Sequence, residues 1–468
     1  MTVEIPLTRQ MPGKTRSAKA VIPGIIAVTI FFMVLLMPLM SVAQGGPVGP
    51  GEDKTIDARM QKEIIDSISG ALNTTYVFPD VARKMEEHLR KQLKDGRYKE
   101  LAGCDAFCRK LSEDLQSVSK DGHLYVMFVS DEYIAQMAND TLTDSAKAVE
   151  LAESKRDNFG FKEVKILNGN IGYLDFRQFS DAKNAGATAI AAMNFLGNTD
   201  AIIIDLRQNG GGFPSMIQLL SSYFFEEPVH LNSFYIRASD STEQYWSYAY
   251  VPGTRLPKAD LYVLTSSYTF SGAEEFTYNM KNLKRGTIIG ETTGGGAHPV
   301  NRKVFKNLNV GVQLPYGRAI NPISGTNWEG TGVTPDIAVP SDKALNVAHL
   351  EALKKLAQKA DSPDRKRELE WAMEGLETIV NPVSLPEDSL KLYVGDFGPR
   401  HVTIENGRLY YQREKNPRFA LIPMGSDKFM AEGLDYFRIK FVRDSSGKVI
   451  ELIGMYDNGR TDSNPKNP

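Results

Sequence analysis

Residues 269–276 have the sequence Thr-Phe-Ser-Gly-Ala-Glu-Glu-Phe, between an apolar run at 261–264 and a helix-like run that ends near Leu283. This order predicts a strand, a turn and a helix, with Ser271 at the start of the helix. The N-terminus of a helix stabilises a developing anion, so the position suits a nucleophile. Ser271 and Glu274 also form the Ser-x-x-Glu pattern of a capping box, and a purely structural serine is therefore the alternative.

This stretch lies within an alternation of strands and helices. Strands are predicted at 171–179, 201–206, 261–264 and 287–290, and helical runs at 182–196, 214–225 and 272–283. Such alternation predicts an α/β fold in which helices cover a sheet.

The chain of 468 residues is longer than one core usually requires, so we expect several domains. The predicted segments are a signal peptide or anchor at 1–44, an N-terminal helical domain at 45–130, a connector at 131–160, the α/β core at 161–344, a helical linker at 345–386, a small C-terminal β domain at 387–458 and a disordered tail at 459–468.

The N-terminus has the pattern of a targeting segment. Basic residues between Arg9 and Lys19 precede an uncharged stretch at 21–50, and Ser41-Val42-Ala43 offers small residues for cleavage near Ala43. We expect a cleaved secretory signal, and an uncleaved anchor is the alternative. Either way, the remainder would be extracytoplasmic: periplasmic, secreted, or anchored to a membrane and facing outward.

The composition gives no indication of a nucleic-acid partner and little of a membrane partner. A net charge of −2 and a pI of about 6.4 give no indication of a nucleic-acid partner, and a membrane contact is expected only through the possible N-terminal anchor. The two cysteines, Cys104 and Cys108, could pair, but they are too few for a disulfide framework and do not form a zinc site. We expect no metal and no cofactor.

A second motif is a glycine-rich turn. Residues 202–214 have the sequence Ile-Ile-Ile-Asp-Leu-Arg-Gln-Asn-Gly-Gly-Gly-Phe-Pro, an apolar strand followed by three glycines and a helix start. Glycines let backbone N–H groups converge on an oxyanion or a phosphate. No Gly-Lys-Ser/Thr follows, which weakens the phosphate interpretation, and a tight structural turn is the remaining alternative.

A serine nucleophile needs a base, and two histidines lie in suitable loops. His123 follows Asp121-Gly122 just before a predicted strand, and His298 follows the glycines at 294–296. Glu329, beside Trp328, is either a surface carboxylate or one that orients an imidazole. The residues alone leave the choice between the two histidines open.

Four motifs in this order resemble a known family. They are the Asp-Leu-Arg-x-Asn-x-Gly-Gly element, the Ser-Gly-Ala-Glu helix start, the Gly-Glu-Thr-Thr-Gly-Gly-Gly loop and the Glu-x-x-Gly-Val-x-Pro-Asp-Ile element. Together they resemble the C-terminal processing (tail-specific) serine proteases, the tricorn core and interphotoreceptor retinoid-binding protein, over residues 161–340. The resemblance implies a ClpP/crotonase-like α/β spiral. The helical segment before residue 161 resembles the N-terminal part of the retinoid-binding-protein branch. Only a short polar stretch separates His123 from the α/β core, which leaves no room for the family's PDZ domain.

The resemblance also implies roles for single residues. Ser271 matches the nucleophile, Gly272 and Gly211 match the oxyanion-hole donors, and His123 and Glu329 match the tricorn-like base and its carboxylate. The lysine of tail-specific proteases is replaced by Gly295, and the tricorn serine that links histidine to glutamate is replaced by Gly122. The link from Glu329 to His123 is therefore direct, through water, or absent.

The implied function is an extracytoplasmic serine endopeptidase or carboxy-terminal processing peptidase that acts on a peptide or protein. The alternative is a non-catalytic binding protein for apolar ligands or peptides on the same fold, with the C-terminal β domain as a further candidate for docking. The aromatic residues Tyr245, Trp246, Tyr248 and Tyr250 either line a peptide groove or pack on the surface. The substrate preference and the oligomeric state stay open.

Overall fold

The computed structural model describes residues 52–468, except Asn139, Ser426 and the side chains of residues 136–147. The expected targeting segment at 1–44 lies outside the described residues. Within 52–468, no helix combines the length and the apolar character needed to cross a bilayer.

The helices are Ala58–Thr75 (α1), Pro79–Lys94 (α2), Cys104–Ser119 (α3), Asp131–Ala138 (α4), Asp140–Arg156 (α5), Ala182–Phe195 (α6), Pro214–Ser222 (α7), Gly272–Asn282 (α8), Ser341–Gln358 (α9), Pro363–Val380 (α10) and Glu387–Lys391 (α11).

The strands are Tyr125–Phe128 (β1), Phe161–Leu167 (β2), Ile171–Phe176 (β3), Ala201–Asp205 (β4), His230–Ile236 (β5), Ser241–Trp246 (β6), Asp260–Thr265 (β7), Gly286–Gly290 (β8), Val300–Phe305 (β9), Val310–Pro315 (β10), Gly317–Ile320 (β11), Ile337–Ala338 (β12), Gly395–Phe397 (β13), Arg400–Glu405 (β14), Arg408–Arg413 (β15), Phe419–Gly425 (β16), Lys428–Ala431 (β17), Phe437–Arg443 (β18), Val449–Tyr456 (β19) and Thr461–Pro465 (β20).

A six-stranded sheet with the order β12-β8-β7-β4-β3-β2 forms the centre of the α/β part. All its pairs are parallel except β2 with β3. Strand β4 is buried along its whole length, as expected where helices cover both faces of a parallel sheet.

Alternate residues of β4 belong to different cores. Ile202 and Ile204 pack with α6, α7 and α8, whereas Ala201 and Ile203 pack with α9 and α10. Side chains on a strand point alternately to its two faces, so one apolar strand serves both layers. The segment expected to be a linker at 345–386 thus supplies one face of the sheet.

The N-terminal helices are joined to the α/β part through a small sheet. Helices α1, α2 and α3 pack on β1 and β10, and the sheet has the order β1-β10-β9. Tyr125 of β1 lies opposite Gln313 of β10. This pairing brings the start of β1 to the α/β part of the chain. Cys104 and Cys108 are both buried and free, inside the same core.

The C-terminal strands form an eight-stranded antiparallel sheet from β13 to β20, in chain order. A bridge between Phe397 and Lys466 joins its first and last strands, which gives the sheet a barrel-like form. Apolar residues such as Phe429 and Phe441 fill its inner side.

The polar segment at 459–468 differs from the expected disordered tail. Thr461–Pro465 forms β20 and pairs with β19. Its side chains contribute little apolar area, but backbone pairing and the contact of Asp462 with the buried Arg400 hold the strand in place. Tertiary contacts here outweigh local composition.

Candidate active site

The site begins where two parallel strands end side by side. Strands β4 and β7 are neighbours, so the loops that follow Asp205 and Thr265 emerge at the same sheet edge. The loops bond to each other: Thr269 Oγ1 donates to the Leu206 carbonyl at 2.8 Å, and Phe270 N–H donates to the Asn209 carbonyl at 3.1 Å. Ligands of open α/β sheets bind at this edge.

Ser271 sits at the end of the second loop in a strained conformation. Its φ of 53° and ψ of −122° are unusual for a residue with a side chain, and it is the N-cap of α8. Such strain costs about 1–3 kcal/mol and persists only where surrounding structure enforces it. A sharp strand-to-helix turn of this kind is a known way to present a serine hydroxyl.

Glu274 holds the turn in place. Its buried carboxylate accepts the N–H of Ser271 at 2.9 Å, of Gly295 at 2.7 Å and of Gly296 at 2.8 Å, as well as the Thr293 hydroxyl. Burial raises the pKa of Glu274 to about 7, and the four donors oppose that rise. The capping pattern seen in the sequence therefore ties the helix start to the glycine loop.

The glycine-rich turn packs directly on the serine turn. A Cβ on Gly211 would lie 2.7 Å from Gly272 N and 2.8 Å from Ser271 Cβ. The backbone of Gly211 also has a positive φ of 102°. Only glycine can occupy such a position without displacing the backbone.

The backbone donors are arranged differently from the expectation at Gly211. Its N–H donates to Asn209 Oδ1 at 2.8 Å. The N–H groups of Gly212 and Gly272 make no hydrogen bond within residues 52–468, and both residues line the cavity described below. A Cβ on Gly272 would lie 3.0 Å from Gly212 N, so the two residues are in close contact. Asn209, two residues before Gly211, is the sequence signal for such a side-chain turn.

His123 reaches this region from the start of β1. Its N–H donates to Asp121 Oδ1 at 3.0 Å, and its carbonyl accepts from Gln313 Nε2 at 3.0 Å. The imidazole packs on Phe270, the residue before Ser271, with ring centroids 4.7 Å apart. Ser271 and His123 line one cavity of about 590 Å³, although no hydrogen bond joins their side chains in the described structure.

The environment of His123 favours a neutral ring. Burial lowers its pKa to about 4; Asp121 opposes this shift and His298 adds to it. The ring is therefore uncharged at neutral pH and able to accept a proton. Its Nδ1 is buried and has no hydrogen-bond partner in the described structure.

A buried polar cluster lies next to His123. His298 Nδ1 is 2.7 Å from Asp121 Oδ2 and 3.4 Å from Glu329 Oε2, and the Tyr76 hydroxyl donates to Asp121 Oδ2 at 3.1 Å. Burial opposes protonation of His298, but the Asp121 contact outweighs it and raises the pKa. The sequence pattern does not predict the contact between Asp121 and His298. The position of Asp121, two residues before His123, is the one sequence signal for it.

Glu329 belongs to the same cluster. Its Oε2 accepts the Ala297 N–H at 2.6 Å, while Oε1 is buried and has no partner in the described structure. Burial, together with Asp121, raises the pKa of Glu329 to about 7. One ligand atom from each of Asp121, His123 and Glu329 lies within 4.8 Å of the others, which puts both carboxylates near the imidazole. This set could bridge a metal ion, but Asp121 is already paired with His298.

The aromatic loop is divided between cavity and surface. Tyr245 lines the cavity, whereas Trp246 stacks on His230 and Tyr250 is 78% exposed. The cavity also contains Glu275, which the sequence did not single out.

Comparisons with known proteins give matches for the α/β part of the chain and for the helical part before it. Residues 170–339 match the model of Peptidase family S41, and residues 57–159 match the N-terminal domain of Peptidase_S41 in eukaryotic IRBP. A tail-specific protease of Haemophilus influenzae is 33% identical over 154 residues, which cover 30% of this chain and 20% of that protein.

Solved structures are similar at lower identity. The photosystem II D1 C-terminal processing protease is 23% identical with a TM-score of 0.32, over 37% of this chain and 43% of that one. The tricorn protease is 15% identical with a TM-score of 0.37, over 68% of this chain and 37% of that one. The chain thus spans well under two thirds of the length of these relatives.

Proposed function

The chain belongs to peptidase family S41, and we propose that it hydrolyses peptide bonds with Ser271 as nucleophile and His123 as general base. One observation carries the proposal: a strained serine at a strand–helix turn and a buried, neutral imidazole line the same cavity. A serine that only caps a helix would not need a histidine from a distant segment of the chain on the same cavity wall.

In the proposed reaction, the Ser271 hydroxyl attacks the peptide carbonyl while His123 takes its proton. His123 then protonates the leaving amine, and an acyl-enzyme remains on Ser271. Water, deprotonated by the same imidazole, attacks the acyl carbon; the bond to Ser271 Oγ breaks, and the imidazole returns the proton to Oγ as the carboxylic product leaves. A base that is uncharged at neutral pH is the form this cycle needs.

Glu329 is proposed to orient the imidazole. Two buried atoms of the cluster have no partner in the described structure: His123 Nδ1, which can donate, and Glu329 Oε1, which can accept. Pairing them would satisfy both and direct the other ring nitrogen, Nε2, to Ser271. No intervening serine is needed for this link.

Backbone donors would hold the oxyanion. Gly272 keeps its assigned role because its N–H opens the helix and is unused. Gly212 is proposed as the second donor in place of Gly211, whose N–H already bonds to Asn209. Each donor of this type contributes about 3 kcal/mol to transition-state stabilisation.

Peptides or proteins are the proposed substrates, in an extracytoplasmic setting. The setting rests on the targeting pattern at 1–44 and the substrate class on the family; carboxy-terminal processing is proposed from the similarity to a tail-specific protease. A binding protein for apolar ligands is the second candidate, favoured by the aromatic part of the cavity wall.

The test is labelling by a fluorophosphonate probe together with hydrolysis of a peptide library. We expect the wild-type protein to be labelled and to cleave, and Ser271→Ala to do neither while remaining folded. Ser267→Ala, an exposed serine in the same loop, is the matched control and should retain both. A wild-type protein that neither reacts nor cleaves would contradict the proposal and favour ligand binding.

A further inference from the structure

Glu275 lies one helical turn beyond Ser271 and borders the same cavity. Its N–H donates to the Ser271 carbonyl at 3.0 Å, the first α-helical bond of α8. Ser271 and Glu275 both line this cavity, so the Glu275 side chain borders the space into which the proposed nucleophile faces. A group bound to Ser271 would therefore meet this carboxyl.

The Glu275 carboxyl is buried, with an exposed fraction of 4%. The side chain of Asn232 on β5 is its polar neighbour and favours the ionised form, but burial outweighs this contact. A single neutral amide is a weak counterpart for a carboxylate away from water, and buried charges are normally paired. A cation that arrives with a ligand would supply the missing charge.

The charge balance of the cavity identifies that partner. Glu275 and Glu243 are both on its wall, and the described lining contains no lysine or arginine. Burial, with the carboxylates of Glu243 and Glu275 as neighbours, raises the pKa of Tyr245 to about 12. The lining thus offers carboxyl groups without a lysine or arginine, and His298, the lining residue whose pKa is raised, is already paired with Asp121.

Aromatic rings form the rest of this wall. Phe234 and Tyr245 meet edge to face, with centroids 5.2 Å apart, and Trp328 lies on the same cavity. Such rings accommodate the aliphatic stem of a long basic side chain and attract its charged end.

We propose that this cavity is the recognition pocket for a lysine or arginine side chain of the substrate, and that Glu275 pairs with its charge. The inference rests on the proposed peptidase function, since it places that side chain next to the bond cleaved at Ser271. Burial raises the pKa of Glu275 to about 8, so the empty pocket holds a protonated carboxyl at neutral pH. Entry of the cation transfers that proton to solvent and leaves an ion pair.

The first experiment compares kcat/KM for peptides that differ only at the residues flanking the cleaved bond. Arginine is compared with citrulline, and lysine with norleucine. We expect the wild-type protein to favour the charged member of each pair by about tenfold or more, and Glu275→Gln to bring the ratio near one. Glu243→Gln, the exposed carboxylate on the same cavity, is the control and should change the ratio much less.

The second experiment measures binding by the Ser271→Ala protein, which separates recognition from chemistry. Calorimetry of the arginine peptide in two buffers of different ionisation enthalpy should show release of roughly one proton at neutral pH, and the citrulline peptide none. Equal kcat/KM within each pair in the wild-type protein, or a preference that survives Glu275→Gln, would contradict recognition of a basic side chain by Glu275. Neither result would count against the peptidase function. Absence of any cleavage would instead count against the peptidase function.

Discussion

His298 Nδ1 and Asp121 Oδ2 lie 2.7 Å apart, buried from solvent, in the cluster that also contains Glu329 and borders His123. Asp121 lies between α3 and β1, whereas His298 lies between β8 and β9, and the two residues form an ion pair when His298 is protonated. Because this histidine already has a carboxylate partner, the neighbouring His123 is left as the ring free to move protons. The relationship distinguishes the proposed base, His123, from a histidine that is already paired with a carboxylate.

Replacing the two histidines should have different effects. His123→Ala is expected to lower kcat/KM by about 10²–10⁴, because the proposed base is lost. His298→Ala should retain a larger share of activity per folded molecule. Steady-state kinetics on a cleaved peptide provide the measurement, and the reverse order of effects would transfer the role of base to His298.

The same His298→Ala change should destabilise the fold. It removes the partner of a buried carboxylate, and such losses cost roughly 3–5 kcal/mol. Urea unfolding monitored by circular dichroism measures this. His88→Ala, a histidine on α2 outside the cluster, is the control, and equal stability of the two variants would contradict the ion pair.

The pH profile should reflect the buried state of His123. The active form is the neutral ring, and its pKa is lowered to about 4, so kcat/KM should persist at pH 5 to 6 and fall as the pH drops through about 4. Phe270→Ala exposes the ring and should move the acid midpoint upward. A wild-type midpoint near the ordinary histidine value would argue against this burial.

Gly211→Ala tests the close approach of the two turns. The added methyl group would lie 2.7 Å from Gly272 N, so we expect kcat to fall by about 10² or more as the donors move. Gly407→Ala is a matched control because Gly407 also has a positive φ, of 72°, but nothing within 4 Å. Comparable loss of activity in both variants would attribute the effect to backbone strain alone.

Glu274→Gln replaces one acceptor oxygen by an NH₂ group that faces backbone donors. We expect a loss of about 1–3 kcal/mol in unfolding free energy, with a fall in kcat because Ser271 and the loop at 295–296 lose a common anchor. Denaturant unfolding and kinetics measure the two effects. Unchanged values for both would show that the anchor is dispensable.

Deleting residues 459–468 should destabilise the C-terminal barrel and leave the proposed site intact. The deletion removes β20 and the carboxylate that pairs with the buried Arg400. We expect a lower midpoint of the barrel's unfolding, measured by differential scanning calorimetry of the full-length and shortened proteins. An unchanged midpoint would mean that β20 contributes little.

The sequence could predict those features that depend on short-range pattern. The apolar runs before Ser271 and Gly211, the helix start and the α/β alternation follow from local periodicity, and the family prediction is confirmed by the matches over 57–159 and 170–339. The domain limits and the roles of Ser271, His123 and Glu329 stay predictions, although the structure brings these three residues together.

Other features depend on contacts between distant segments. The Asp121–His298 pair joins residues 177 positions apart, and the polar neighbours of Glu275 come from β5 and β6 rather than from its own helix. Strand β20 has a polar sequence that only its partner strand orders. The motif predicts Gly211 as an oxyanion-hole donor. The Gly211 N–H donates instead to the Asn209 side chain, and the motif does not reveal this contact.

The attachment of β1 to β10 has a consequence during synthesis. His123 leaves the ribosome long before Ser271, but the strand that holds its segment in place, Val310–Pro315, is made only afterwards. A partly made chain therefore carries Ser271 and His123 without the strand pairing that aligns their segments. Under the proposed mechanism, the order of translation would delay peptide cleavage until the α/β part is nearly finished.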